Sequence, residues 1–214
     1  PLSSSAASDV YKRQKLKRSK TKIPIFYYIA PQEWAWRVGN NTTTNLINFS
    51  DKILAIFKKE AAFYKKRGGN VLWVGHPMID LTKKLPLKKV ARTILSLRPD
   101  ENILLLMPAS RPQELKYILP TFMKAARKLQ QKYPSLVVYI LSCREVFDDR
   151  FKKSFRKYQV KGQVISQKDS AKLKPYIYSL TKIAFCKSGT VNMELALYGI
   201  PQIVGYRVSR VTAF

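Results

Sequence analysis

The chain has 214 residues, of which 46% are apolar, and this is enough to bury a hydrophobic core. The composition therefore excludes a disordered tail and a collagen-like chain. Lys and Arg number 40 against 13 Asp and Glu, and the formal net charge of +27 predicts a phosphate-rich partner: nucleic acid, an anionic membrane or a phosphorylated substrate.

Cysteine and histidine usage restricts the kinds of site. Cys143 and Cys186 are the only cysteines and lie far apart, which argues against a disulfide framework and fits a reducing compartment. A single histidine, His76, argues against a zinc site, and no metal or cofactor is predicted. No apolar run approaches the roughly 18 residues of a membrane span, and the chain does not start with the apolar core of a secretory signal, so we expect a cytoplasmic protein.

The first 22 residues follow neither a helix nor a strand period. They are rich first in Ser and Ala and then in Lys and Arg, and we predict that residues 1–22 form a tail that is disordered or foreign to the native protein. The basic run from Lys12 to Lys22 is typical of a solvated tail, with contact to an anionic surface as the alternative.

From Ile23 onward, short apolar runs alternate with segments of helical period, which predicts parallel strands joined by crossover helices. The predicted strands are residues 25–29, 53–57, 71–74, 103–107, 136–141, 164–165, 183–186 and 202–205. An apolar stripe from Leu115 to Leu129 predicts a long helix that ends before Pro134. A second helix over residues 191–198 is expected to end at Gly199.

This order of elements predicts a doubly wound parallel α/β fold. Gly68 and Gly69, followed by Pro77 and Pro86, interrupt the pattern, and we place a domain boundary after residue 69. Residues 23–69 contain too few predicted strands for an α/β domain, so we interpret them as the end of a preceding Rossmann-like domain. Residues 70–214 are predicted to form a nearly complete Rossmann-like domain, in a chain that we expect to be truncated at both ends.

Ligands of doubly wound folds bind at the carboxyl ends of strands, so the turns that follow strands are candidate binding segments. In residues 107–114, the small Ala109–Ser110 pair permits close backbone approach, and Arg111 can clamp a diphosphate. The alternative is that Ser110 is a helix N-cap beside a solvated Arg111.

The turn Ser188-Gly189-Thr190 opens the second predicted helix, and Glu194 follows in its first turns. Backbone N–H groups and the positive helix end suit a pyrophosphate, while Glu194 can accept hydrogen bonds from a ribose diol. The alternative is an ordinary N-cap with a carboxylate that complements the helix dipole. The chain has no G-x-x-x-x-G-K-[ST] or G-x-G-x-x-G motif, which argues against ATP hydrolysis and NAD binding.

Two further segments follow predicted strands. His76 is interpreted either as a general base or phosphate donor, or as a structural histidine, and Asp80 as a cap of the next segment. Trp34 and Trp36, followed by Arg37, either pack in the core or line an amphiphilic pocket.

Taken together and in order, these segments resemble the lipid-A-disaccharide synthase family. The matching stretches are YIAPQEWAWR at 28–37, VGHPMID at 74–80, PASRPQE at 108–114, SGTVNME at 188–194 and VGYR at 204–207. The resemblance runs from about residue 23 to residue 206 and implies a GT-B fold: one nearly complete Rossmann-like domain preceded by the end of another. It implies an inverting glycosyltransferase that joins UDP-2,3-diacylglucosamine to 2,3-diacylglucosamine 1-phosphate (lipid X), giving lipid A disaccharide 1-phosphate and UDP.

The resemblance also implies roles for individual residues. The expected UDP contacts are Ser110, Arg111, Glu114, Ser188, Gly189, Thr190 and Glu194. Among them, Arg111 stabilises phosphate charge and Glu194 holds the ribose. The expected substrate and acceptor contacts are Trp34, Trp36, Arg37, His76 and Asp80. Cations and helix dipoles stabilise the leaving diphosphate in this family without an obligatory metal.

Two features of the chain depart from the family. Ala109 stands where the family has glycine, and the catalytic base is expected in the amino-terminal part that this chain mostly lacks, so we expect the chain alone to be inactive. The lysine-rich surface is expected to hold the protein on the cytoplasmic face of the inner membrane, with genome base bias as the alternative origin of the lysines. The resemblance further implies a homodimer for the full-length protein.

Two other functions compete with this interpretation. A UDP-N-acetylglucosamine 2-epimerase of the same architecture carries a similar Gly-His-Pro segment and a late Ser-Gly turn, but lacks the Trp-Ala-Trp-Arg element. A basic nucleic-acid-binding module rests on the charge alone, and the chain has no strand pattern of base-stacking aromatics, so no nucleic-acid partner is expected.

Overall fold

The computed structural model describes residues 23–31, 35, 41–108 and 111–205, and the chain divides between Leu81 and Thr82 into two compact units. Each unit is built around a parallel β-sheet with its own hydrophobic core. The predicted parallel α/β fold is confirmed.

The first unit contains three short parallel strands in the order β1-β2-β3. The strands are β1 (Phe26–Tyr28), β2 (Lys52–Ala55) and β3 (Val71–Trp73). The described helices of this unit are α1 (Asn41–Phe49), α2 (Lys58–Lys65) and α3 (Pro77–Leu81). Its core joins the middle of β2 to the two longer helices through residues such as Leu46, Ile53 and Tyr64, all of which are buried.

The division of the chain differs from the boundary predicted after residue 69. Strand β3 pairs with β2 in parallel register and therefore belongs to the first sheet. Gly68, with φ +84°, and Gly69 lie in the turn that ends α2, where both amides donate to carbonyls of its last turn. The glycine pair therefore closes a helix within one unit and is not a linker, because left-handed glycines are the usual end of a helix.

The second unit contains five parallel strands in the order β6-β5-β4-β7-β8. The strands are β4 (Asn102–Met107), β5 (Leu136–Leu141), β6 (Gly162–Ile165), β7 (Thr181–Lys187) and β8 (Gln202–Gly205). Its described α-helices are α4 (Lys88–Ile94), α5 (Pro112–Lys132), α6 (Asp148–Tyr158), α7 (Gln167–Leu180) and α8 (Thr190–Leu197), and a 3-10 turn covers Glu145–Phe147. The strand order reverses between β4 and β7, and doubly wound sheets bind ligands at the carboxyl ends of such strands.

Both faces of the second sheet are buried. Successive side chains of a strand point to opposite faces, so Leu104 and Leu106 pack with α5 and α6, whereas Ile103 and Leu105 pack with α4, α7 and α8. This two-sided burial explains why the strands read as continuous apolar runs in the sequence.

The predicted elements are confirmed with small shifts at their ends. All eight predicted strands are present, and their ends differ by a residue or two. Helix α5 begins at Pro112, which needs no amide partner in the first turn, and α8 ends shortly before Gly199, which has φ +65°. Within the described ranges, no helix combines the length and the apolar character needed to cross a membrane.

Candidate functional site

A cavity of about 320 Å³ opens at the carboxyl ends of β4, β5 and β7 in the second unit. Its lining residues are Met107, Pro108, Leu141, Cys143, Lys187, Ser188, Gly189, Thr190 and Val191. Small-molecule sites are typically of this size or larger, mostly apolar, with a few polar groups that fix orientation. The lining brings together three of the predicted UDP contacts, namely Ser188, Gly189 and Thr190.

The turn between β7 and α8 is fixed by hydrogen bonds to Asn192. The Gly189 amide donates to Asn192 Oδ1 at 2.7 Å, and the Asn192 amide donates to the Gly189 carbonyl at 3.0 Å. Asn192 Nδ2 also donates to Gln202 Oε1 at 2.9 Å, and Gln202 Nε2 returns a bond to the Asn192 carbonyl at 2.9 Å. The turn is thereby tied to β8 through two amide side chains that the sequence interpretation did not single out.

These bonds change the expected role of Gly189. Its backbone N–H was predicted to bind phosphate, but in this structure it is already engaged by Asn192 Oδ1. The hydroxyls of Ser188 and Thr190 are exposed at the cavity and carry no such intramolecular bond among those described. We therefore expect phosphate contacts from these two side chains in preference to the Gly189 amide.

Glu194 lies in α8, one turn beyond the cavity, and pairs with Lys174 of α7. Its Oε1 accepts from Lys174 Nζ at 2.7 Å, with 37% and 22% of the two side chains exposed. Tyr178 lies one helical turn after Lys174, and its hydroxyl donates to Met107 Sδ at 4.0 Å. Burial raises the pKa of Tyr178, and the negative charge of Glu194 raises it further. The described lining residues of the cavity do not include Glu194.

In the turn between β4 and α5, Arg111 is exposed whereas Glu114 is largely buried and paired. Arg111 precedes the helix in an extended conformation and is exposed, and Glu114 lies in the first helical turn. Glu114 Oε1 accepts from Lys187 Nζ at 2.6 Å, and each of these side chains is 21% exposed. The predicted contact Ser110, together with Ala109, lies outside the described residues.

Lys187 was not among the predicted site residues. It is the last residue of β7 and stands directly before Ser188, so its position beside the polar turn was the available signal. Its ion pair with Glu114 joins the turn after β4 to the turn after β7, the two turns at the point where the strand order reverses. The pairing could not be read from the sequence because 73 residues separate the partners.

His76 and Asp80 belong to the first unit. The His76 ring lies 5.3 Å from the Phe57 ring between centroids, and its Nδ1 accepts from the Met78 amide at 3.2 Å. His76 thus has a local structural role at the start of α3, and Asp80 lies exposed within that helix. Trp34, Trp36 and Arg37 lie outside the described residues.

Neither cysteine forms a disulfide among the described residues. Cys143 lines the cavity, and burial raises the pKa of its thiol. Cys186 is fully buried under the turn, where burial raises the pKa of its thiol and Asn192 Nδ2 donates to its sulfur at 3.0 Å. Both thiols are therefore protonated near neutral pH.

Comparison with known proteins finds relatives over nearly the whole chain. The model of the family described as lipid-A-disaccharide synthetase matches residues 7–214, so the match begins inside the segment predicted to be a tail. The lipid-A-disaccharide synthase of Prochlorococcus marinus (strain MIT 9313) is 50% identical over 200 residues, which are 94% of this chain and 51% of that protein. That of Gloeothece citriformis (strain PCC 7424) is 39% identical over 191 residues, 89% of this chain and 48% of that protein. This chain therefore spans about half the length of these curated relatives.

Solved structures resemble the chain in fold. The UDP-GlcNAc 2-epimerase of Methanocaldococcus jannaschii matches with a TM-score of 0.54 at 13% identity, covering 93% of this chain and 57% of that one. WaaG, a glycosyltransferase involved in lipopolysaccharide biosynthesis, matches with a TM-score of 0.50 at 13% identity, covering 92% of this chain and 62% of that one. At such low identity these likenesses concern the GT-B fold and not the reaction.

Proposed function

The chain belongs to the lipid-A-disaccharide synthetase family, and from that premise we propose that it forms the UDP-sugar-binding part of a glycosyltransferase of lipid A synthesis. The proposed reaction transfers 2,3-diacylglucosamine from UDP-2,3-diacylglucosamine to 2,3-diacylglucosamine 1-phosphate (lipid X). The oxygen of the acceptor hydroxyl forms a bond to the sugar C1 and loses its proton to a general base, while the bond from C1 to the UDP oxygen breaks and UDP leaves with its electron pair. The products are lipid A disaccharide 1-phosphate and UDP.

One observation carries the assignment of the nucleotide to the second unit. The cavity lies at the carboxyl ends of β4 and β7, where the strand order reverses, and a Ser-Gly-Thr turn that opens α8 forms its polar wall. This position combines an apolar slot for a base with hydroxyls and a helix start for phosphates. The same polar turn is part of the sequence stretch shared with the family.

We assign the charge of the leaving diphosphate to groups that surround this wall. Ser188 and Thr190 donate hydroxyl hydrogen bonds from the cavity wall. We assign the exposed Arg111 of the neighbouring turn, which is not among the described lining residues, to the charge of the phosphates. Glu194, held by Lys174, accepts from the ribose hydroxyls. Donors and cations fixed in advance stabilise the negative charge that develops on the leaving group. Acceptor contacts by Trp34, Trp36, Arg37, His76 and Asp80 remain a prediction of the resemblance.

Titration calorimetry with UDP tests the nucleotide assignment on this chain. We expect saturable binding that Glu194→Ala and Arg111→Ala each weaken by about tenfold or more, because each change removes a charged hydrogen-bond partner. Glu145→Ala is the matched control, since Glu145 is an exposed glutamate that pairs only with Lys168, at 3.4 Å, among the ion pairs described. A folded sample that does not bind UDP would contradict the proposal.

A surface patch of the second unit supports the proposed binding to an anionic membrane, and the cytoplasmic face remains a prediction of the resemblance. Leu87, Val90 and Ile94, which share one side of α4 and its start, are exposed apolar side chains. Exposed lysines border them at positions 83, 84, 88 and 89. Apolar side chains beside lysines suit an interface of acyl chains and anionic headgroups.

Vesicle sedimentation tests this location. We expect the chain to sediment with vesicles rich in phosphatidylglycerol and not with pure phosphatidylcholine, and the double variant Leu87→Ser, Ile94→Ser to sediment less. Val146→Ser is the matched control, because Val146 is 71% exposed in a different part of the unit. Equal sedimentation of the double variant and the wild type would contradict a role for α4. Homodimerisation of the full-length protein is proposed from the resemblance and is tested by its mass in solution.

A further inference from the structure

Lys187 is a cation on the cavity wall that the proposed function does not yet use. It ends β7, lines the cavity beside Ser188, and has 21% of its side chain exposed. Most of the lysines within the described ranges lie on open surface, whereas Lys187 is held largely out of solvent at the edge of the cavity. A lysine kept in such a position retains more of its attraction for an anion than a solvated one, because water screens it less.

The partner of Lys187 is incompletely satisfied. Glu114 Oε1 accepts from Lys187 Nζ at 2.6 Å, but Glu114 Oε2 is buried with no hydrogen-bond partner. A carboxylate with one buried, unpaired oxygen is costly, so this ion pair is not optimised for stability alone. The ammonium group has three N–H donors, and its bond to Glu114 uses one of them.

We propose that Lys187 binds the diphosphate of a nucleoside diphosphate sugar, and that Glu114 is its counter-charge and not a nucleotide contact. This inference rests on the proposed function, because it concerns the same cavity. In the structure, Glu114 neutralises Lys187 and holds its Nζ at the wall. When a diphosphate enters, the remaining N–H donors of Lys187 turn to its oxygens while Glu114 keeps the side chain in place. The expected role of Glu114 as a UDP contact is thereby revised.

Ligands that share the nucleoside but differ in the number of phosphates test this role of Lys187. Calorimetry compares uridine, UMP and UDP on the wild-type chain and on Lys187→Gln. We expect the variant to bind UDP about tenfold more weakly, UMP less affected, and uridine within about twofold of the wild type. Lys182→Gln is the matched control, because Lys182 is exposed at the opposite end of the same strand. Lys187→Arg keeps the charge and is expected to keep most of the UDP affinity.

The Glu114 side of the pair is tested with Glu114→Gln. Removing the counter-charge is expected to leave uridine binding unchanged and to leave UDP binding unchanged or tighter. Equal loss of uridine and UDP affinity would mean that Glu114 touches the nucleoside, which would overturn its role as a counter-charge. Thermal unfolding of each variant is measured in parallel, so that loss of fold is recognised.

The results for Lys187 distinguish a failure of the proposed function from a failure of the inference about Lys187. If the folded wild type does not bind UDP, the proposed function itself fails. If the wild type binds UDP and Lys187→Gln binds it equally well, only the present inference fails. If Lys187→Gln loses uridine as much as UDP, Lys187 acts by shaping the turn and the inference is overturned. Selective loss of UDP, restored by Lys187→Arg, supports it.

Discussion

The two sheets of this protein differ in how completely their apolar faces are covered. In the second unit β5 is buried along its whole length, and hydrophobic clusters cover both faces of the sheet. In the first unit one cluster covers one face, while Phe26, Tyr28 and Leu72 share the other and are 58%, 48% and 50% exposed. Parallel sheets are normally covered on both faces, so we infer that the second sheet is the more stable.

This difference bears on function because the described lining of the cavity comes entirely from the second unit. Its polar turn is attached to strands whose side chains are packed on both sides. A binding site keeps its geometry best when its residues stand on rigid, well-packed elements. Three pairs of substitutions, with one member in each unit, test whether the two units differ as the burial of their sheets implies, and a fourth prediction concerns the second sheet alone.

The largest effect is expected from Leu105→Ala, which removes a fully buried side chain from β4. The free energy of unfolding of the second unit should fall by about 2–5 kcal/mol, because the change loses transfer free energy and leaves a cavity. Leu72→Ala in β3 removes a half-exposed side chain, and the first unit should lose at most about 1 kcal/mol. Hydrogen exchange of the amides of β2, β4 and β5 measures both changes.

Tryptophan fluorescence gives this experiment an internal control. Trp73 lies in β3 of the first unit, so its fluorescence, measured in a chain that carries Trp34→Phe and Trp36→Phe, reports on that unit. The fluorescence transition should therefore be the same in Leu105→Ala and in the wild type. If Leu72→Ala cost as much as Leu105→Ala, its side chain would be buried in solution and the comparison between the sheets would fail.

A second contrast uses one glycine in each unit. A Cβ on Gly162 would lie 2.0 Å from the Val138 carbonyl oxygen and 2.7 Å from the Phe155 ring, so Gly162→Ala must displace backbone between β5 and β6. We expect the free energy of unfolding of the second unit to fall by about 3 kcal/mol.

A Cβ on Gly69 in the first unit would have its nearest atoms at 3.1 and 3.3 Å. Small shifts can relieve these contacts, so Gly69→Ala should cost about 1 kcal/mol or less. Chemical denaturation followed by circular dichroism measures the first change and fluorescence the second. Equal losses would contradict this contrast.

A third contrast concerns two amide side chains that join neighbouring strands. Buried Gln130 donates to the carbonyls of Leu136 and Lys161 and accepts from the Lys161 amide, at 2.6 to 2.9 Å. Gln130→Ala leaves these backbone groups unpaired and should cost the second unit about 2 kcal/mol. Asn70 in the first unit makes one exposed bond, at 2.8 Å to the Asp51 carbonyl, so Asn70→Ala should cost about 0.5 kcal/mol. Hydrogen exchange at β6 and β3 reports the two losses, and a larger loss at Asn70 would reverse the expected order.

The sequence predicted the strands well because each is a short apolar run between breakers, and a strand buried on both faces has no other pattern. It misplaced the boundary because a glycine pair that ends a helix looks the same as a linker. The place of Ser188, Gly189 and Thr190 at a strand end could be predicted because they follow a strand and open a helix, while their contact with UDP stays a prediction. The pairs of Lys187 with Glu114 and of Lys174 with Glu194 could not be predicted, because they depend on side-chain directions between residues 73 and 20 positions apart.

The smallest effect is expected from Glu101, at the start of β4, and it depends on pH. A hydrogen bond from Lys161, followed by one from the Arg98 amide, lowers the pKa of Glu101 below its ordinary value of 4.5. A lowered native pKa stabilises the fold above the unfolded pKa, and this contribution disappears as the pH falls through the native pKa. As the pH falls from about 6 to about 3, the free energy of unfolding of Glu101→Gln should therefore decrease less than that of the wild type. Because Lys161 is half exposed, the difference should be on the order of 1 kcal/mol. Glu145→Gln, which alters an exposed pair, is the control and should follow the wild type. Hydrogen exchange in β4 measures the free energy of unfolding of both proteins at each pH. If the variant and the wild type lost the same free energy on acidification, Glu101 would not stabilise the second sheet.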